Sequence, residues 1–325
     1  MTDSQFKGVL VLTIALNEEL NINKCIESVR LQNSQDWRQV VGDNSSSDGT
    51  KNAVLSINDP RIRLLSWSSR KSSSENFIRT ASEALATFPM ARYIQVLNGD
   101  DYFKTLDILT IDTVGPIDNT VLIPAFENEM GEKIGPGFKS TAPLDSRFLA
   151  LRSIPLNKWV WSDILHGRHS RQSFESLLSC MEASKRGNAE DDWRATTLYI
   201  LSAKRRIGSS KEKIVRRSRK EEEWHQFHSQ ASLYDLKKAR DENSDPYRIK
   251  WAMNELKQGP NTNAQFAFWI NLVVLRILIG GVASKSKLDI IDICKRLLDL
   301  LFGLLGLKLR RNASSRKLEL RRWSE

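Results

Sequence analysis

The chain has 325 residues, 40% hydrophobic and 27% charged, with 49 Lys and Arg against 39 Asp and Glu. That balance excludes wholesale disorder. The three scattered cysteines, Cys25, Cys180 and Cys294, exclude a disulfide framework and a zinc site of the usual spacing. The charge is uneven: residues 1–200 hold 22 Lys and Arg against 25 Asp and Glu, whereas residues 201–325 hold 27 against 14. The first part reads as a near-neutral globular domain, the second as a segment that meets an anionic surface.

Val9 to Ile14 is a continuous apolar run, as expected of a strand covered on both faces. Its surroundings, Lys7 before and Asn17-Glu18-Glu19 after, are those of a first strand and not of a signal peptide. Ile22, Ile26 and Val29 then recur at helical spacing, which predicts a helix over about Leu20 to Gln32. A second strand spans Trp37 to Gly42 and opens into Asp43-Asn44-Ser45-Ser46-Ser47-Asp48-Gly49-Thr50, a dense run of turn and capping residues in which Asp48 is placed to start a helix. Arg61 to Trp67 is a third strand, Glu75 to Phe88 a helix, and Arg92 to Leu97 a fourth strand. Strand and helix alternating at these lengths predict right-handed βαβ units and a mostly parallel sheet flanked by helices.

The fourth strand ends abruptly in Asn98-Gly99-Asp100-Asp101. In open α/β sheets ligands bind at the carboxyl ends of strands. Two carboxylates placed there need a cation nearby, and an oxygen-rich site suits Mg²⁺ or Mn²⁺ holding a phosphorylated ligand. The bland alternative is a solvated loop in which Asp101 caps a helix. The glycine-rich loops of dinucleotide-binding domains and P-loop NTPases are absent.

Three blocks in register, Leu12 to Glu19, Val41 to Thr50 and Leu97 to Asp101, resemble family 2 glycosyltransferases of the GT-A fold. The resemblance implies a nucleotide-diphosphate-sugar donor, a divalent metal, Mn²⁺ or Mg²⁺, and an inverting displacement. By position, Asp43 resembles the acid that recognises the nucleobase, and Asn17 and Glu18 fall where the first loop lines the nucleotide pocket. Asp100 and Asp101 resemble the metal-binding acids, with Asn98 standing where the motif has its first Asp. The family takes its general base from acids opening a helix downstream. Glu190-Asp191-Asp192 after Gly187-Asn188 fits, with Asp191 the candidate base and Glu190 or Asp192 the alternatives. Acids at a helix start also suit the helix dipole without any catalytic role.

Thr120 to Phe126 reads as another strand and Gly131 to Pro136 as a turn. Trp159, Trp161, His166 and His169 fall where the family places its acceptor pocket, but core Trp and solvated His are the commoner outcome. Lys204 to Lys220 is strongly basic, a segment able to close over a donor diphosphate, to meet a phosphate on the acceptor, or simply to be a solvated helix face. Glu221 to Leu256 reads as two polar helices. Phe266 to Ala283 is apolar but carries Arg276, which argues against a lipid-facing span. Leu288 to Leu307 reads as an amphipathic helix before a basic tail, the pattern of a segment in the membrane interface or of a helical lid.

The expectation is therefore a GT-A catalytic domain over residues 1–205, with a helical, basic accessory region over 206–325. The acceptor would be a saccharide or a lipid-linked one, in polysaccharide or glycoconjugate synthesis of the cell envelope. The location would be cytoplasmic, with peripheral contact to the anionic inner face of the membrane as one option. Charge alone would also suit nucleic acid, but no recognisable nucleic-acid module accompanies it. Three rivals remain: an inactive glycosyltransferase-like binding protein; a metal-dependent nucleotidyltransferase, whose glycine-rich loop after the first strand is missing here; and a basic membrane-peripheral or nucleic-acid-binding protein driven by the tail alone.

Overall fold

The computed structural model describes residues 3–110, 120–133, 144–145, 164–184, 199, 206–217, 307–311 and 318–322. The long apolar run forms β1 (Val9–Ala15), which is buried along almost its whole length. It feeds α1 (Ile22–Arg30), whose Ile22, Cys25, Ile26 and Val29 turn inward at helical spacing. Next come β2 (Trp37–Asp43), α2 (Thr50–Leu55), β3 (Ile62–Ser66), α3 (Ser73–Thr87) and β4 (Tyr93–Asn98). α3 opens with a capping box: Ser72 accepts from the Glu75 amide, and Glu75 reaches back to the Ser72 amide. Asp101 is followed at once by a short strand, β5 (Tyr102–Phe103), so no helix begins there for it to cap.

Nine strands of the described residues form one sheet. Its order begins β3-β2-β1-β4, all parallel. The sheet continues through β8 (Arg168–Ser170), antiparallel to β4, then β6 (Thr120–Glu127), β9 (Arg206–Val215) and β5. β7 (Leu144–Asp145) pairs with β9. β1, β2 and β3 advance in one direction, and the chain then returns to place β4 on the other side of β1. That reversal creates a crevice at the carboxyl ends of β1 and β4, the usual ligand position in such sheets.

α1 and α3 lie on opposite faces. Thr13 faces the Cys25 thiol of α1, while Gly42, one residue out of step with it, backs onto Thr80 of α3. α3 packs with α4 (Arg171–Ser184) through Phe77 and Phe174, whose ring centroids are 6.0 Å apart. Phe88 receives Phe6 edge-on at 5.8 Å.

The catalytic domain was expected to stop at residue 205, but the sheet runs on through β9. Ile207, Ile214 and Val215 carry strand character through a segment whose lysines suggest a solvated helix face. Two compact units divide the chain: β1 to β9 and α1 to α4 belong to the first. The second contains an antiparallel hairpin, β10 (Leu307–Arg311) with β11 (Leu318–Arg322), within the stretch expected as a basic tail. The predicted polar helices over 221–256 and the apolar run 266–283 lie outside the described residues, as does the amphipathic helix expected over 288–307 except for Leu307, which begins β10. No helix of the described residues is long and apolar enough to cross a membrane.

Candidate active site

Strand register brings the sequence-predicted acids to one rim. Asp43 is level with Ala15, and Asn98 with Ile14, on the two neighbours of β1. The ends of β2 and β4 are thus about 10 Å apart, two strand spacings. Backbone bonds tie the loops to β1: the Asn44 amide donates to Ala15 O at 3.0 Å and the Gly99 amide to Ile14 O at 2.9 Å.

Asn17 and Ser45, on adjacent loops, both adopt left-handed backbone, with φ of 56° and 61°. Non-glycine residues are held there only when neighbours enforce it. The Asn17 amide donates to Ser46 Oγ at 2.9 Å, and the Ser47 amide donates to Asn17 Oδ1 at 2.9 Å. Beside them the Glu18 amide donates to Thr50 Oγ1 at 2.7 Å, and the Glu19 amide to Asp48 Oδ2 at 3.0 Å. Burial raises the Asp48 carboxyl, but bonds from the Thr50 side chain and amide outweigh it and hold it below its ordinary value. Asp48 thus clamps two loops together and accepts from the Thr50 amide, while the N-cap of α2 is Gly49 and not Asp48.

Asp43 is buried and accepts from Ser46 and, at 3.4 Å, from Ser66 Oγ. A wall rises next to it. Asn44 reads the Lys71 peptide with both ends of its amide, accepting from Lys71 N at 2.9 Å and donating to Lys71 O at 2.8 Å. Arg79 of α3 donates to Asn44 Oδ1 at 2.7 Å and to Ser69 O at 3.1 Å, and stacks 4.5 Å above Trp67. Trp67 Nε1 donates to Thr80 Oγ1 at 3.3 Å. Asn44, Trp67 and Arg79 were missed at the sequence level, because their bonds join positions 10 to 35 residues apart.

Glu18 is buried, and its Oε2 accepts from Asn21 Nδ2 at 2.9 Å. A Cβ at Gly99 would lie 3.2 Å from Glu18 Cγ, so the loops after β1 and β4 touch at this point. The Asp101 amide closes a turn on Asn98 O at 3.1 Å, leaving Asp101 buried and Asp100 half-buried. Cys25 lies beneath, its thiol 3.4 Å from Asn98 O. Burial pushes this thiol well up, and the charges of Asp101, Asp100 and Glu18 add to it. Three carboxylates thus act on one buried atom. Among the described residues, no three His, Cys, Asp or Glu side chains could hold a metal by themselves. The oxygen-only pair Asp100 and Asp101 fits a hard cation that keeps positions open for phosphate oxygens and water.

Asp191, with Glu190 and Asp192, lies outside the described residues, as do Trp159 and Trp161. His166 and His169 are buried. His169 bonds Ile164 O at 2.8 Å, and Gln95 Nε2 donates to His166 O at 2.8 Å. Burial, then the nearby Arg216, hold the His166 ring well below its usual value. Both belong to the packing between β4, β8 and β6.

Residues 10–110 match the sequence profile described as Glycosyl transferase family 2. No curated protein matches the sequence. The fold is similar to crystal structures of the 1–349 fragment of S. aureus TarS. With UDP-GlcNAc the TM-score is 0.59 at 15% identity, covering 91% of this chain and 81% of that one. Without a named ligand it is 0.56 at 14% identity, over the same shares. With UDP it is 0.50 at 15% identity, covering 97% and 96%. Residues 10–110 thus form a Glycosyl transferase family 2 domain, and the chain is a glycosyltransferase of the GT-A fold.

Proposed function

We propose that the protein transfers a sugar from a nucleotide-diphosphate-sugar donor to an acceptor hydroxyl with inversion at the anomeric carbon. The observation that supports this is that the loops after β1, β2 and β4, which carry Asn17 and Glu18, Asp43, and Asp100 and Asp101, leave the sheet at the same rim. Asp43, held by Ser46 and Ser66, presents a fixed acceptor to an N–H of the nucleobase edge. Asn17 and Glu18 line the nucleotide side. Asp100 and Asp101 hold Mn²⁺ or Mg²⁺, which would offset the charge gathering on the departing diphosphate. Asp191 takes the acceptor proton, with Glu190 or Asp192 as the alternative. The turn closed by the Asp101 amide on Asn98 O fixes Asp100 and Asp101 before the donor arrives, which favours a reaction that depends on placement.

TarS was solved with UDP-GlcNAc and UDP, so uridine diphosphate sugars are the first donors to test. The segment beyond β9 is read as an accessory region. The excess of 27 Lys and Arg over 14 Asp and Glu in residues 201–325 supports peripheral contact with an anionic membrane at the cytoplasmic face. That setting suits a saccharide or lipid-linked acceptor of cell-envelope synthesis. Release of UDP from a panel of UDP-sugars in Mn²⁺ tests the reading. Asp43→Asn should weaken donor binding, and Asp191→Asn should abolish transfer while sparing donor binding. A chain that binds donor but never turns it over would instead be a glycosyltransferase-like binding protein.

A further inference from the structure

The rim does not end at the two acids. β5 starts one residue after Asp101 and is hydrogen-bonded to β9, with Tyr102 level with Val215 and Phe103 level with Ile214. The Lys104 amide extends this pairing, donating to Lys213 O at 2.9 Å. Phe103 and Ile214 are buried, so alternation turns Lys104 and Lys213 together to the other face. There both ammonium groups converge on Glu127 of β6, Lys104 on one carboxylate oxygen and Lys213 on the other. Bonds from the two lysines hold the Glu127 carboxyl below its ordinary value.

One lysine would neutralise Glu127. Two leave a positive charge over, and it faces water: the Glu127 side chain is 9% exposed, against 46% and 43% for Lys104 and Lys213. Two residues before Lys104, on the same face, Tyr102 carries a third cation, the Lys24 ammonium of α1, 3.8 Å from the ring centroid. Same-face positions on a strand are about 7 Å apart. Lys104 is three residues from Asp101, a reach of at most about 10 Å. A row of three lysines therefore borders the acidic crevice directly.

Resting on the transferase reading above, we propose that Lys24, Lys104 and Lys213 form a phosphate-binding edge that receives a phosphate group of the acceptor. The donor diphosphate is served by the cation at Asp100 and Asp101, so a second cluster of cations beside it suits a second anion. Lysine meets phosphate as a mobile point charge, which fits a loosely placed phosphate better than a rigidly oriented one. The acceptor class is thus a phosphate-bearing one.

Binding of tripolyphosphate to the full chain at low salt, with and without UDP and Mn²⁺, tests this. The wild type should bind it, with UDP present as well as absent. Lys104→Gln/Lys213→Gln and Lys24→Gln/Lys104→Gln should lose about tenfold or more, the scale of a lost charge-assisted bond. Lys51→Gln on α2 should change nothing. A single cooperative thermal transition shows that each variant folds, with the Lys104→Gln/Lys213→Gln midpoint lowered because Glu127 loses both partners. Equal binding by all variants would overturn the proposal. Displacement of UDP by tripolyphosphate would also overturn it, since the anion would then occupy the donor site. So would lysine-dependent binding to phosphatidylglycerol vesicles without any to tripolyphosphate, which would assign the edge to a lipid surface. Failure of the wild type to bind UDP with Mn²⁺ strikes the transferase reading instead, and leaves a lysine-dependent phosphate site standing.

Discussion

Gly42→Ala tests how α3 holds the base-recognition end of the sheet. Gly42 precedes Asp43 on β2, and its missing side chain admits Thr80 of α3. An added Cβ would stand 2.8 Å from Thr80 Cβ and 2.6 Å from its Cγ2, and would collide with Oγ1. Carbon atoms pack at about 3.5 Å or more, so α3 must move outward by about 0.7 Å at least. Rotating Thr80 does not relieve its Cβ. Overpacking of this kind costs about 1–3 kcal/mol. The same shift strains two bonds that cross this contact, from Asn76 Nδ2 to Gly42 O at 3.3 Å and from Trp67 Nε1 to Thr80 Oγ1 at 3.3 Å, each worth about 1 kcal/mol. A total of roughly 3–5 kcal/mol should lower the thermal midpoint by about 6–20 °C. Because Trp67 and Arg79 move with α3, UDP affinity should fall as well. Thermal unfolding and calorimetric titration with UDP read both effects. The double variant Gly42→Ala/Thr80→Gly removes the obstructing Cβ, so its loss should be smaller than the sum of its parts. A wild-type midpoint for Gly42→Ala, or full additivity in the double variant, would refute the packing described.

Other outcomes follow from the same geometry. Asp59 accepts from the Arg61 amide and guanidinium and from Arg30, which hold its carboxyl down at about 2. A depressed carboxyl stabilises the fold above its unfolded value of about 4 and loses that stability as pH falls toward about 2. Asp59→Asn should therefore cost about 2 kcal/mol at pH 7, and its urea midpoint should converge on that of the wild type as pH drops from about 4 to 2. Ser72→Ala removes the cap of α3 and should cost about 1 kcal/mol in the same urea assay. Asn44→Ala leaves Asp43 in place but frees the Lys71 peptide and Arg79, so UDP affinity should fall about tenfold and stability by about 1–3 kcal/mol.

The parallel half of the sheet was legible because each of its strands is a local apolar run and each helix a local period. Val9 to Ile14 and Trp37 to Gly42 agree with β1 and β2 to one residue. The rim positions of Asp43, Glu18 and Asp101 were legible for a related reason: they stand at or just after the ends of strands. Their supports were not. Asn44, Thr50 and Arg79 act through bonds to residues distant in sequence, and nothing in their neighbourhood announces that. β9 was hidden differently. Its pairing depends on β6, more than 80 residues earlier, and its lysines suggest a solvated helix more strongly than its isoleucines suggest a strand.

The central claim is that Asp100 and Asp101 grip a divalent cation to which the donor diphosphate binds. Electron paramagnetic resonance of Mn²⁺ measures it directly, since bound ion disappears from the free-ion signal. With UDP present the wild type should take up one Mn²⁺ per chain, and Asp100→Asn/Asp101→Asn should take up none at the same concentrations. Equal uptake by both proteins, or UDP binding indifferent to Mn²⁺, would contradict the account.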